Sequence, residues 1–511
     1  MQLTRFLLTA ALLALVPSSA VAQALPNLSI SRLGYTVRKR TVNAQGELKT
    51  KLDALDAELD QATRLGKNGE VRRLLAKGMT LLAGREWTGE LDFSQSLLLR
   101  SDRVYVDSLA PYPVRLEQMY SPSIQLQRAL TARVSLRKAP PMAGPAGPSQ
   151  PGEIVKDLGA FEEVSRDLRE SPHFMDLGLA GVADGVYQVL AEVLEGDRAL
   201  GSASLRIVIQ KGLDGTLSRL KAEATQAPEV IRAEALYPID YIRKVNRGLI
   251  DRGAFDLTKE LATAEQALAA AKAGKDPFAG RTGDFKRHYY FQAAGEIMPY
   301  RMYVPPPYTG AKAFPLVVAL HGLGGTEDSM FSGIYRLVEQ AEKRGYIVVA
   351  PLGYRIDGGY GFGLFGPPTR RTQLSEQDVM EVLERVRRDY KVDESRIYLM
   401  GHSMGGIGTW ALAAKYPSLW AALGPIAGIG NPATVEKIRH IPEIVVHGDA
   451  DNVVPVSSSR VMVEAMKKLG GEVQYIEVPG GDHTNIAAPN MGAIFDFFDS
   501  HRKAAAPSSS R

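Results

Sequence analysis

A serine between glycines, Gly401-His402-Ser403-Met404-Gly405, is the pattern in this chain best suited to nucleophilic chemistry. The apolar run Ile397-Tyr398-Leu399-Met400 leads into it, and a helix-like stretch over 409–414 follows. A strand that breaks sharply into a helix holds its turn residue in a strained conformation with the hydroxyl exposed. Glycine is needed on either side, because a Cβ there would collide with the neighbouring strand or helix. With 49 glycines in 511 residues the bare pattern is common, so its surroundings must carry the argument.

A serine hydroxyl is a weak nucleophile near neutral pH; it needs a base, and the base needs a group to orient it. In an open sheet flanked by helices such groups emerge on loops at the C-terminal ends of strands. His483, in Pro479-Gly480-Gly481-Asp482-His483 directly after the last expected strand, has that place. His501 lies in the terminal helix, His440 precedes a strand, and His447 ends one before a tight turn. The orienting acid belongs on the loop after 444–446, which offers Asp449 and Asp451. Asp451 is favoured because it lies beyond the turn and precedes Val453-Val454-Pro455, a rigid return to the next helix. Asp482 is adjacent to His483, and neighbours orient each other's side chains poorly. A tetrahedral oxyanion would need two N–H donors. The candidates are Met404, at the start of the helix, and Leu323, in the run His321-Gly322-Leu323-Gly324-Gly325. His321 itself is expected to orient or pack.

The elements that must hold these groups follow from periodicity. Strand-like runs at 316–320, 346–350, 397–400, 421–426, 444–446 and 473–478 alternate with helical stretches at 330–344, 377–390, 406–415, 457–469 and 493–501. Such alternation implies a parallel sheet covered on both faces. An antiparallel pair at 289–291 and 300–304 opens it. The long loop 352–373 carries Tyr354, Tyr360, Phe362 and Phe365 among glycines, which suits a mobile apolar wall for an acyl or aryl group; Tyr354, Phe362 and Phe365 are the substrate-binding candidates. The connection 426–442 is too short for an inserted cap domain, so the N-terminal β-region is expected to roof the site.

Ahead of that sheet, leucines at helical spacing on either side of Gly66–Gly69 read as a helical hairpin, and short strand-like runs follow. The expected organisation is a signal peptide at 1–22, a helical hairpin at 23–85 and a β-sandwich of immunoglobulin-like type at 86–211. A helical linker at 212–277, an α/β catalytic domain at 278–502 and a disordered tail at 503–511 complete it. Arg5, the apolar run 6–16 and Ala20-Val21-Ala22 give the signal its three parts, so the chain is expected to be exported to a bacterial periplasm or medium. There is no cysteine, which excludes disulfides, thiolate metal sites and a lipoprotein anchor. Net charge is +4 with no basic block, which argues against a nucleic-acid partner. No later segment is apolar enough to span a membrane. No cofactor or metal is expected: His321, His447 and His483 lack metal-ligand spacing.

Residues from about 284 to 502 resemble the α/β-hydrolase superfamily, through LHGLGG, VDESRIYLMGHSMGG, HGDADNVVP and PGGDH in that order. Within it they are similar to exported esterases related to feruloyl esterases and polyhydroxybutyrate depolymerases, and to prolyl-oligopeptidase-like hydrolases. The resemblance implies a nucleophile, acid and base at Ser403, Asp451 and His483, and a carboxylic-ester substrate, small or polymeric. Secreted depolymerases of this type commonly carry cysteines, and this chain has none. A serine peptidase of prolyl-oligopeptidase type is a second expectation, weakened because some 250 preceding residues of mixed helix and strand cannot supply a propeller. A third is a hydrolase fold retained for binding alone.

Overall fold

The computed structural model describes residues 27–140, 152–253, 255–363 and 366–503. The expected signal peptide, most of the Pro/Gly-rich loop 139–152, Phe365 and the tail from 504 lie outside the described residues. Three helices come first: α1 (Leu28–Val42), α2 (Gly46–Arg64) and α3 (Asn68–Leu82). Leu52, Leu55 and Leu59 of α2 meet Val71, Leu74 and Leu75 of α3, as their spacing predicts, with Tyr35 of α1 completing the core. The expected hairpin is therefore a three-helix unit. α1 escapes the periodicity argument because it has a single fully buried residue, Tyr35. Its ring fits because position 78 is glycine: a Cβ there would lie 2.5 Å from it.

The next unit opens with a helix, α4 (Gly89–Ser96), ahead of its strands. Among the described residues eight strands follow: β1 (Leu97–Ser101), β2 (Tyr105–Val106), β3 (Tyr112–Gln118), β4 (Leu130–Lys138), β5 (Ile154–Val164), β6 (His173–Leu177), β7 (Gly185–Glu195) and β8 (Arg198–Ile209). They form two sheets, ordered β1-β3-β6 and β2-β8-β7-β4-β5. Three helices come next: α5 (Leu213–Thr225), α6 (Glu229–Asn246) and α7 (Leu257–Lys272). Leu220, Ile231, Ala264 and Leu268 of these helices join Phe93, Leu116, Val134 and Leu205 in one core. The stretch expected as a linker thus packs as part of this unit, because its helices bury apolar stripes on the sheets.

Then come β9 (Gly283–Phe291), β10 (Glu296–Val304), β11 (Phe314–Leu320), β12 (Ile347–Pro351), β13 (Val392–His402), β14 (Ala422–Ile426), β15 (Glu443–Gly448) and β16 (Val473–Val478). They build one sheet in the order β16-β15-β14-β13-β11-β12-β10-β9. β9 and β10 are antiparallel, β10 is antiparallel to β12, and the rest are parallel. Six helices accompany it: α8 (Leu337–Arg344), α9 (Arg370–Asp389), α10 (Met404–Lys415), α11 (Val435–Ile438), α12 (Ser457–Lys468) and α13 (Ala487–Ser500). Leu316, Val318 and Leu320 of β11 face a core shared with Trp410 and Leu383. Val317 and Ala319 face the opposite core, with Phe495 and Phe498. Covered faces on both sides explain why these strands read as unbroken apolar runs. The expected helix over 330–344 is shorter, a 3₁₀ turn at Ser329–Phe331 followed by α8.

α6 is bound along the β9–β10 edge by buried charges. Glu234 accepts from Arg287 Nε at 2.7 Å and from the His288 backbone N–H at 3.1 Å. Asp240 accepts from the Ile297 N–H at 2.9 Å while Lys244 donates to the Ile297 carbonyl at 2.8 Å. No helix among the described residues is long and apolar enough to cross a membrane.

At the start of β15, the buried Glu443 accepts from the Trp410 indole at 2.8 Å. Burial pushes its carboxyl up from 4.5 to about 7. Between those values the folded protein keeps a proton that the unfolded chain has lost, so stability falls as pH rises through this window and levels off above it. Glu443→Gln keeps an acceptor for Trp410 and removes the titration. Its free energy of unfolding is expected to match wild type near pH 4.5 and to exceed it progressively toward pH 7.5, by about 3 kcal/mol at most.

Candidate active site

β13 runs into α10 through Ser403, whose backbone sits at φ 57° and ψ −116°. A non-glycine residue held there costs on the order of 1–3 kcal/mol and persists only where its surroundings enforce it. They do: the Ser403 N–H donates to the Ile426 carbonyl at 2.9 Å, and its carbonyl accepts from Ile407 at 3.0 Å. The flanking glycines permit the approach. A Cβ on Gly401 would stand 2.4 Å from the Gly405 backbone, and one on Gly405 would stand 2.0 Å from the Leu320 carbonyl oxygen of β11. Met404, the first residue of α10, is buried, and the leading N–H groups of a helix have no partner within it.

The loops after β15 and β16 bring Asp451 and His483 together: Nδ1 of His483 lies 2.7 Å from Asp451 Oδ2. Asp451 Oδ1 accepts from the Val453 and Val454 N–H groups, each at 2.8 Å. Burial works to raise its pKa, but hydrogen bonds from His447 and His483 and the Val454 N–H prevail and hold it well below the usual carboxylate range. An ionised carboxylate only accepts, so Nδ1 of His483 carries a proton and Nε2 of the neutral ring is left as an acceptor. Asp449 has another task, accepting from the Gly480 N–H at 2.7 Å. The two loops touch at Gly448, where a Cβ would stand 2.1 Å from the Gly481 carbonyl. Asp482 caps its own turn, accepting from the Thr484 and Asn485 N–H groups.

Three more histidines support these loops. His447 is fully buried, with Nε2 3.0 Å from the Val454 carbonyl and 3.3 Å from Asp451, and Nδ1 2.6 Å from the Ser459 hydroxyl. His321 lies between the Gly322 and Leu352 carbonyls, each 2.8 Å from a ring nitrogen. His402 matters most. Its Nε2 meets the His483 carbonyl at 2.7 Å and its Nδ1 the Tyr335 hydroxyl at 2.9 Å. A carbonyl only accepts, so Nε2 carries the hydrogen and Nδ1 accepts from Tyr335. His402 thus ties the peptide of His483 to the residue before Ser403. The only hint in sequence is its place inside the serine motif.

Gly322 lies beside Ser403, since a Cβ on it would be 3.4 Å from that of the serine. Leu323 follows, half-buried against the sheet core. The aromatic loop differs from expectation. Tyr360 is wholly buried; its hydroxyl donates to the His321 carbonyl at 3.2 Å, and its ring packs on Gly408 of α10. Tyr354 is held by its N–H to Asp378 at 2.8 Å and by Arg355, whose guanidinium stands 4.0 Å over the ring. The first half of this loop is therefore a fixed support rather than a mobile wall. Phe362 is half-buried just after the 3₁₀ turn at Gly359–Gly361.

Among the described residues, α1 rather than a strand of the β-region is seen hydrogen-bonded to these loops. Asn27 donates to Asp357 at 3.0 Å, and Arg40 donates to the carbonyls of Asn452 and Val453 at 3.2 and 3.0 Å.

Burial, aided by the neighbouring His483, pushes His402 down to about 4. An NMR titration of the His402 ring is expected to show it neutral from pH 8 to pH 5, with protonation only below. A midpoint near 6.5, the ordinary histidine value, would remove the neutral donor–acceptor role assigned to it.

Residues 366–498 match the PET hydrolase-like family. Feruloyl esterase B of Neurospora crassa is 33% identical over 134 residues, covering 26% of this chain and 44% of its own. Cutinase est1 of Thermobifida alba is 30% identical over 173 residues, covering 33% of this chain and 52% of its own. The chain thus spans about half the length of these curated relatives. A thermostable esterase of known structure aligns over 80% of this chain and 96% of its own, at 18% identity and a TM-score of 0.38. These sequence matches support an α/β-hydrolase related to esterases in the C-terminal region.

Proposed function

We propose that the protein is an exported serine hydrolase that cleaves carboxylic esters, with Ser403 as nucleophile, His483 as base and Asp451 as the acid orienting it. The observation that carries this reading is the His483–Asp451 pair at 2.7 Å, on loops tied through His402 to the strained turn holding Ser403. Relatives named feruloyl esterase and cutinase support the ester as substrate class. The signal-like N-terminus supports export. The two sheets and shared core ahead of the hydrolase region suit an immunoglobulin-like sandwich.

In the proposed reaction His483 Nε2 takes the Ser403 proton as Oγ bonds to the ester carbonyl carbon. The Leu323 and Met404 N–H groups meet the negative oxygen that forms. The intermediate collapses with loss of the alcohol, which receives the proton from His483, leaving an acyl-serine. Water then repeats the sequence and frees the acid. Asp451, held ionised, keeps Nδ1 of His483 protonated and stabilises the imidazolium of each transfer.

Ser403→Ala is expected to lower kcat on p-nitrophenyl esters by about 10⁴ to 10⁶ without unfolding the protein. Retention of a tenth of wild-type turnover would sink the assignment. Asp451→Asn is expected to cost about 10⁴, because an amide can hold His483 in the wrong tautomer. Asp449→Asn keeps an acceptor for Gly480 and should cost far less; the reverse ranking would move the acid to Asp449.

A further inference from the structure

α1 is fastened to the hydrolase loops at both ends. Near its start, Asn27 is bonded to Asp357, which Arg371 also holds at 2.6 Å. One turn on, Ile30 lies over Gly324, with its δ-methyl 3.4 Å from where a Cβ on that glycine would be. Near its end, Arg40 is bonded to the two carbonyls that follow Asp451. From Ile30 to Arg40 the helix rises about 15 Å. The loops that Ile30 and Arg40 reach leave β11 and β15, three places apart in the sheet, which is about 14 Å. The strands between are β13 and β14. A helix of that length joining those loops crosses the C-terminal end of β13, where Ser403 stands.

The opposite face of α1 is fixed on α2. Tyr35 donates to Asp56 at 2.7 Å and Arg32 to Asp60 at 2.6 Å. Helical spacing puts Ile30, Gly34 and Val37 together on the face turned toward the hydrolase loops. Apart from its chain neighbours and its own helix backbone, Gly34 has no heavy atom within 4 Å of the place its Cβ would occupy. Its φ does not call for glycine, and glycine inside a helix costs about 1 kcal/mol relative to alanine. What glycine contributes at this position is room, bordered by apolar Ile30 and Val37.

We infer that α1 is the wall of the substrate cleft across from Ser403, and that Gly34 sets the size of the apolar acyl group the site admits. The inference rests on the ester-hydrolase reading and adds a specificity-determining residue to it, contributed by the N-terminal helices. The test compares kcat/KM for p-nitrophenyl acetate and p-nitrophenyl octanoate in the full chain, for wild type, Gly34→Ala and Gly34→Leu. The octanoate-to-acetate ratio is expected to fall about tenfold in Gly34→Leu and by less in Gly34→Ala, since a few methylene groups of pocket space decide factors of that size. Both substitutions raise helix propensity, so the melting temperature is expected to hold or rise. Two active variants with an unchanged or higher ratio overturn the inference and leave the esterase reading standing. A wild type that cleaves neither ester overturns both.

Discussion

The structure around Ser403 depends on backbone packing against backbone. β13, α10 and β11 approach so closely that a single Cβ on Gly401 or Gly405 would enter another chain segment. That contact fixes where the helix begins relative to the sheet, and the serine between them takes the conformation that remains. The strain at φ 57° is therefore imposed by the sheet core rather than by the serine. Ile426 and Ile407 secure the same turn by hydrogen bonds from either side.

The neighbouring loops are assembled by polar groups that have lost their water. Such groups are costly unless each lone pair and proton has a partner. Two of the histidines meet this demand in pairs of contacts: His447 between Ser459 and Val454, His402 between Tyr335 and the His483 carbonyl. Neutral imidazole donates at one nitrogen and accepts at the other, so it can join a hydroxyl to a carbonyl without bringing a charge into the interior. The low pKa of His402 keeps it in that form. Asp451 is the opposite case, a covered carboxylate kept ionised because donors surround it.

The N-terminal half engages the hydrolase by two unlike means. α6 lies on the β9–β10 edge through buried ions, among them Glu234 with Arg287 and Lys244 with Glu296. Removing one partner of such a pair strands the other charge, so the seam tolerates little change. α1 by contrast touches the loops through a few half-exposed bonds at its ends, and its middle stays open at Gly34. One contact lies along the sheet edge; the other links α1 to the loops after β12 and β15.

The sequence by itself determined the parallel sheet, its cover on both faces and the sharp turn at Ser403. Those signals are local: continuous apolar runs mark strands buried on both faces, and glycines mark where backbone meets backbone. It also placed Asp451 and His483 on loops at one edge of that sheet, since strand ends follow directly from strand positions. The tertiary structure alone decided which residues meet across long stretches of chain. Arg40 and Val453 are separated by 413 residues, and nothing in the composition of α1 announces that contact. Tyr360 likewise reads as a loop aromatic until Gly408 and His321 are seen to enclose it. The helices of 213–272 read as a linker until their apolar stripes are found closing the core of the sheets. In each case the deciding energy is burial against a partner distant in sequence, which periodicity cannot name.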